Sequence, residues 1–226
     1  MIAERAATLA TRDGVLLEAQ VASAPAVPAG AVACHPHPLY GGDMDNPVVV
    51  RAVEVCSALG FATLRFNFRG VGASTGVHDG GVGEERDVQA AMAYLRGLIG
   101  PAGPLVLIGY SFGATVSARL ATDRGAGPTL AGLALIAPPL AMVGEEPFVA
   151  LDRFPASLLI VAGSRDEYCP IDSLERLTRR LPDAVVSVID GANHFFLGKL
   201  FPLGEAVSGW ARRLRAGETS RGSGSG

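Results

Sequence analysis

Three residues of this chain have the types and settings for covalent acyl chemistry: Ser111, His194 and Asp166. Ser111 is the centre of GYSFG at 109–113, a G-x-S-x-G pattern that follows the apolar run LVLI and precedes a helical pattern, ATVSARLA. A serine hydroxyl is a poor nucleophile at neutral pH and needs a base to take its proton. Histidine serves as that base when a carboxylate fixes its tautomer and stabilises its cationic form. Taken alone, the pattern also describes a glycine-flanked serine that caps a helix. Its context favours a nucleophile, because a serine projecting from a very tight strand-to-helix turn needs glycines where side chains would meet the reversing backbone. A helix starting at Phe112 would also turn unpaired N–H groups and a positive dipole end toward an oxyanion.

The other two residues fall in comparable places. The run 158–163 is followed by SRDEYCP, which puts Asp166 in a loop beyond a strand, and 185–190 is followed by GANHFF, which does the same for His194. Glu167 is a rival for the acid, and either carboxylate could simply be a solvated loop residue. The order Ser, Asp, His, each just past a strand of a parallel sheet, would bring all three to the carboxyl edge where open α/β sheets build their sites.

The positioning elements follow from the pattern of the chain. Residues 8–11 and 15–21 read as an antiparallel hairpin around Asp13-Gly14, which would supply the positive φ angles of a tight turn. Beyond the connector SAPAVPAG, short apolar runs at 31–35, 61–67, 105–109, 130–137, 157–162 and 185–190 alternate with helical patterns at 47–59, 83–99, 112–124, 171–181 and 203–214. That alternation predicts an α/β fold whose mostly parallel sheet is covered on both faces. Asn46-Pro47 marks a helix start, an N-cap followed by proline where no N–H is needed. One domain over 1–215 is expected, with 216–226 a flexible tail or linker. The longest irregular stretch, 138–155, is too short for a full lid domain.

Composition narrows the function. The chain is 49% hydrophobic and 18% charged, as a well-buried globular protein is. A net charge of -3 without a Lys/Arg cluster gives no basic surface for nucleic acid or anionic lipid. Cys34, Cys56 and Cys169 show no CxxC spacing and read as buried free thiols. The N-terminal residues have no apolar core of signal-peptide length and no later stretch reaches the roughly 18 uninterrupted apolar residues of a membrane span, so a cytoplasmic protein without a membrane partner is expected. Trp210, at helical spacing from Val207 and Leu214, reads as packing.

GYSFG, FRGVGASTG, GSRDEYCP and GANHFF, together with HPHPLYGG after the third strand, resemble the α/β-hydrolase superfamily, specifically its small, capless, esterase-like members. The resemblance covers essentially 7–214. It implies the α/β-hydrolase fold, with a mostly parallel eight-stranded sheet, an N-terminal antiparallel hairpin and helices on both faces. It favours Asp166 over Glu167, since the family's aspartate precedes a proline by a few residues, here Pro170. It implies an oxyanion hole from the N–H groups of Phe112 and of the loop 35–42, placed at Leu39 with Tyr40 as runner-up, because Pro38 has no N–H. His35 and His37 form an H-x-H pair near Asp43 and Asp45, but Pro36 and Pro38 break the strand that would align them on a metal, and the resemblance accounts for them as loop architecture. Arg69 is expected to tie its loop to nearby carbonyls or carboxylates, with substrate carboxylate binding the lesser alternative. His78 is expected to be exposed.

The function that follows is a carboxylesterase-type serine hydrolase cleaving short-chain esters or thioesters, with no metal or organic cofactor. Its expected partner is a small-molecule ester, and the protein is a monomer or homodimer. The alternatives are a non-catalytic scaffold that binds a small ligand, and a small amidase or peptidase.

Overall fold

In a computed structural model, which describes residues 3–23, 29–122 and 129–215, the apolar runs become a single eight-stranded sheet ordered β1-β2-β4-β3-β5-β6-β7-β8. β1 (Arg5–Ala10) and β2 (Leu16–Ala22) are the antiparallel hairpin, and β2 pairs antiparallel with β4 (Ala62–Phe66). From β4 onward, β3 (Gly30–Cys34), β5 (Leu105–Tyr110), β6 (Gly132–Ile136), β7 (Ser157–Gly163) and β8 (Val185–Ile189) run parallel.

The central strands β3, β5 and β6 are buried at every position, which is why they read as unbroken apolar runs. Within them the two-residue period still sorts side chains by face. Leu105 and Leu107 join one core with α2 (Val82–Ile99), α3 (Phe112–Thr122) and α6 (Ile171–Thr178). Val106, Ile108 and Tyr110 join the other with α1 (Pro47–Ala58) and α7 (Leu200–Arg215). Trp210 of α7 lies against β6, where a Cβ on Gly132 would come within 2.6 Å of its ring, and its indole N–H donates to Ser157 Oγ at 2.9 Å. Cys34, Cys56 and Cys169 are free and buried.

Several boundaries differ from expectation for local reasons. The hairpin connection is wider than a two-residue turn, since Ala10 pairs with Leu16 and only Gly14, not Asp13, has a positive φ, of 84°. Thr11 sets this loop: its N–H donates to the Val15 carbonyl and its Oγ1 accepts from Val15 N–H, both at 2.9 Å. The helix expected over 171–181 stops at Thr178. Its end tightens into bonds from Arg180 and Leu181 to the carbonyls of Leu177 and Thr178, ahead of Pro182, which disfavours helical geometry in the residue before it. Residues 123–124 of the expected third helix and the tail 216–226 lie outside the described residues. At Asn46 the expectation holds: its Oδ1 accepts from Val48 N–H at 3.0 Å and Pro47 opens α1.

The segment after β6 is not irregular. It forms short helical turns α4 (Leu140–Val143) and α5 (Glu146–Val149), then a 3-10 turn at Ala150–Arg153, packed against α3 and α6. α4 adds Met142 and Val143 to one wall of the pocket at Ser111.

Candidate active site

The chain turns from β5 into α3 within one residue. Ser111 makes that turn with φ of 53°, a left-handed conformation that costs a non-glycine residue about 1–2 kcal/mol. Its N–H continues the β5–β6 ladder to the Ile136 carbonyl at 2.9 Å, while its own carbonyl accepts the first helical N–H groups, from Ala114 and Thr115. The flanking glycines are required by contact. A Cβ on Gly109 would fall 2.4 Å from the Gly113 carbonyl oxygen, and one on Gly113 would fall 2.6 Å from that of Cys34.

The loops after β7 and β8 bring the other two residues to this serine. His194 Nε2 lies 3.0 Å from Ser111 Oγ, and His194 Nδ1 lies 2.9 and 3.0 Å from the two carboxylate oxygens of Asp166. All three are buried. Asp166 Oδ1 also accepts the N–H groups of Tyr168 and Cys169 at 2.9 Å, which fixes the carboxylate's orientation. Glu167 plays no part in these bonds. The histidine loop is held from below, where the Tyr110 hydroxyl donates to the His194 carbonyl at 3.0 Å and Arg165 N–H donates to the Ala192 carbonyl at 2.9 Å. Gly163 permits that second approach, since a Cβ there would sit 2.3 Å from the Ala192 oxygen.

The turn after β3 departs from expectation. Leu39 and Tyr40 belong to a 3-10 turn, Pro38–Tyr40, whose N–H groups are spent internally: Leu39 donates to His37 Nδ1 at 3.2 Å and Tyr40 to the His37 carbonyl at 3.1 Å. Gly41 and Gly42 N–H groups close onto Pro38 and His37 carbonyls. Neither Leu39 nor Tyr40 therefore has an N–H to offer, and Leu39, 71% exposed, does not line the pocket. In this turn the His37 N–H is the one without an acceptor among the described residues. Its direction follows from its neighbour. The Pro36 carbonyl is turned toward His35 Nδ1, 2.6 Å away, and in a trans peptide the His37 N–H points the opposite way. Phe112 N–H, at the start of α3, likewise has no acceptor among the described residues.

His35 is thus a positioning residue rather than a ligand. It is wholly buried; Nε2 accepts from Phe68 N–H at 3.0 Å, leaving Nδ1 as donor to Pro36. Burial pushes its pKa down from 6.5 to about 4. The unfolded chain takes a proton near pH 6.5 where the folded one does not, so His35 makes stability fall as pH drops from about 6.5 to 4. Urea midpoints across that range are expected to decline less steeply in His35→Gln than in the wild type; parallel slopes would show that His35 is not the group responsible.

Other expectations are resolved by contact. Arg69 serves structure: its side chain donates to Asp87 (Nη2, 2.7 Å) and Asp13 (Nη1, 3.0 Å), and none of it lines the pocket. Asn67 sits where an amide, not a carboxylate, is needed. Its Oδ1 accepts from Met44 N–H at 2.8 Å while its Nδ2 donates to Glu18 at 2.7 Å, and a carboxylate could not do the second. His78 is not the exposed loop residue expected. Its Nδ1 is 2.7 Å from the buried carboxylate of Glu84, and its ring packs near His37 and Phe112.

Together these elements enclose a pocket of about 430 Å³ beside Ser111 and His194, bordered by His37, Tyr168 and Phe195. Among the described residues no group of three or more His, Cys, Asp or Glu could hold a metal ion, and no helix is long and apolar enough to cross a membrane.

A mostly parallel sheet with its pocket at the carboxyl edge, a strained serine between β5 and α3, and no domain folded over the opening among the described residues define the architecture of a lidless α/β hydrolase. Residues 40–200 match the alpha/beta hydrolase domain family, and the chain belongs to that family. It is 34% identical to an uncharacterized protein of Rickettsia prowazekii over 184 residues, 79% of this chain and 76% of that one. Among solved structures, it superimposes with a TM-score of 0.80 on an alpha-beta serine hydrolase homologue from Coxiella burnetii, 34% identical, covering 90% of this chain and 95% of that one. It matches equally well, at 0.80 and 32% identity, a serine hydrolase without a lid from Xanthomonas campestris, covering 93% and 94%.

Proposed function

We propose that this hydrolase is a serine carboxylesterase that cleaves short-chain carboxylic esters or thioesters through an acyl-enzyme on Ser111. The observation that carries the reading is the unbroken line from Asp166 through His194 to the hydroxyl of a serine held at positive φ. Ser111 Oγ attacks the ester carbonyl as its proton passes to His194 Nε2, and Asp166 stabilises the resulting imidazolium. The carbonyl oxygen, now negative, is held by the N–H groups of Phe112 and His37, each such donor being worth about 3 kcal/mol to the transition state. Collapse of this intermediate breaks the carbonyl–alkoxide bond, and the departing alkoxide takes the proton from His194. Water then attacks the acyl-enzyme, giving its proton to the same nitrogen, and the acid leaves as Ser111 regains its hydrogen.

Among the described residues no domain covers the pocket to form a long apolar tunnel, which favours short acyl chains. Hydrolysis of p-nitrophenyl acetate, butyrate, octanoate and dodecanoate is expected to fall steeply beyond about C4 to C6. A preference for the dodecanoate would contradict the open-site argument, and inertness toward all four would bring forward the ligand-binding scaffold. Labelling by a serine-directed fluorophosphonate separates that scaffold from an enzyme, since only an activated serine reacts.

A further inference from the structure

In the mechanism above, His194 Nε2 gives its proton to the departing alkoxide, so the alcohol part of the substrate must lie beside that ring. Two aromatic side chains that border the pocket flank it. The Tyr168 ring is centred 4.8 Å from the imidazole, and the Phe195 ring stands edge-on at 5.6 Å. α4 is tied to the same side by the Ala141 N–H, which donates to the Tyr168 carbonyl at 2.9 Å, and it adds Met142 and Val143 to the wall. Phe195, Met142 and Val143 keep 55%, 56% and 39% of their surface exposed, although all three are large and apolar. The opposite rim, from the loop after β3 to the start of α1, sets one aromatic side chain, Tyr40, among His37, Gly41, Gly42 and Asn46. The apolar surface is thus gathered on the leaving-group side.

The loop after β8 enforces the exposure of Phe195. Its neighbour Phe196 is wholly buried, in the core that α1 and α7 share with Tyr110, and has φ of 51°. That conformation is a rare outlier for a bulky side chain. The turn around it is closed by Phe196 N–H to the Asn193 carbonyl at 3.1 Å, Lys199 N–H to the Phe196 carbonyl at 2.9 Å and Leu197 N–H to Asn193 Oδ1 at 3.3 Å. Backbone strain persists only where surrounding structure over-determines it, and it clusters at ligand clamps. Here it buries one phenylalanine and leaves the next against the imidazole, with a face open at the pocket. Exposed apolar surface continuous with a pocket is a mark of a ligand-binding groove.

Resting on the esterase reading above, we propose that the substrate is an ester of a short acid with a larger apolar alcohol, whose carbons pack on Phe195, Tyr168 and α4. The alcohol is the occupant because the proton it takes comes from the histidine that this wall flanks.

Hexyl acetate and methyl heptanoate test this directly. They are isomers of equal carbon count that place the long chain on the alcohol side or on the acyl side. With acid release followed at concentrations below their solubility limits, kcat/KM for hexyl acetate is expected to exceed that for methyl heptanoate at least about tenfold, which the burial of a few methylene groups suffices to give. The ratio should fall severalfold in Phe195→Ser and be largely kept in Phe195→Leu. Equal rates, a preference for methyl heptanoate, or a ratio unchanged in Phe195→Ser would overturn the proposal. So would a preference that appears only above the solubility limit, which would assign the wall to a lipid-like interface, or one that follows protein concentration, which would assign it to a second copy of the chain. If p-nitrophenyl acetate and both isomers are all inert, the esterase reading fails separately, and the wall is then read by NMR with 1-hexanol as the probe. Shifts at Tyr168 that vanish in Phe195→Ser support an apolar alcohol site, and a wild type without shifts overturns it.

Discussion

Ser111→Ala is expected to lower kcat/KM for short p-nitrophenyl esters by at least about a thousandfold while leaving the fold intact. The size of the loss follows from what the hydroxyl does. On the proposed mechanism, without Oγ there is no covalent intermediate, and what would remain is water positioned by His194 with the oxyanion stabilised by the two N–H groups. The cost to stability is small, because the hydroxyl's one bond is to His194 Nε2 and a neutral bond is worth about 1 kcal/mol. Alanine at φ of 53° carries the same backbone strain as serine, so the turn itself is not relieved. Activity and circular dichroism measured side by side check both halves. A variant that still hydrolysed these esters at the wild-type rate would move the nucleophile elsewhere.

The largest stability effect is expected at Arg69→Leu. Asp87 is fully buried and receives the Arg69 backbone N–H together with the guanidinium Nε and Nη2, so removing the arginine leaves an uncompensated charge inside the protein. Breaking one side of such a pair costs about 3–5 kcal/mol, a large fraction of the total stability of about 5–15 kcal/mol that domains of this kind have. The loss should depend on pH in a definite direction. Burial already raises the Asp87 pKa against the pull of Arg69, and without the arginine it rises further. A carboxyl whose folded pKa lies above its unfolded value binds its proton first in the folded state, so the variant recovers as pH falls. Asp13 acts in the same sense: the Arg69 guanidinium holds its carboxyl well below the usual range, and the stability this gives the wild type at neutral pH is itself lost in acid. The gap between wild-type and variant urea midpoints should therefore narrow steadily below pH 7. A gap that stayed constant in acid would mean that neither Asp87 nor Asp13 loses a charge that Arg69 balances in the wild type.

How much of this was legible in the residues depends on whether a feature is set by local sequence or by packing. GYSFG could be read because the turn imposes its own glycines through contacts with Gly113 and Cys34. Asp166 and His194 could be read because a parallel strand ends just before each and both loops must leave the same sheet edge. The turn after β3 could not. HPHP offers two registers for a histidine followed by a donor, and the choice depends on which N–H groups the 3-10 turn consumes and on where His35 pulls the Pro36 carbonyl. Nothing in the local pattern reports either. The setting of His78 is hidden for a similar reason, since its partner Glu84 is a helix residue whose carboxylate folds back to cap Asp79 and Gly81.

The sheet order sets the candidate nucleophile and its candidate base on firm and yielding ground respectively. Ser111 extends from β5, with three strands on one side and four on the other, whereas His194 hangs from β8, the last strand, whose Val186 and Val188 are 41% and 47% exposed. Edge strands with solvent-facing backbone open at lower free energy than the interior of a sheet. On the proposed mechanism, catalysis would rest on an anvil and a hammer of different stiffness, and mild heat or denaturant is expected to silence it by loosening the histidine arm before the strand that carries Ser111 gives way.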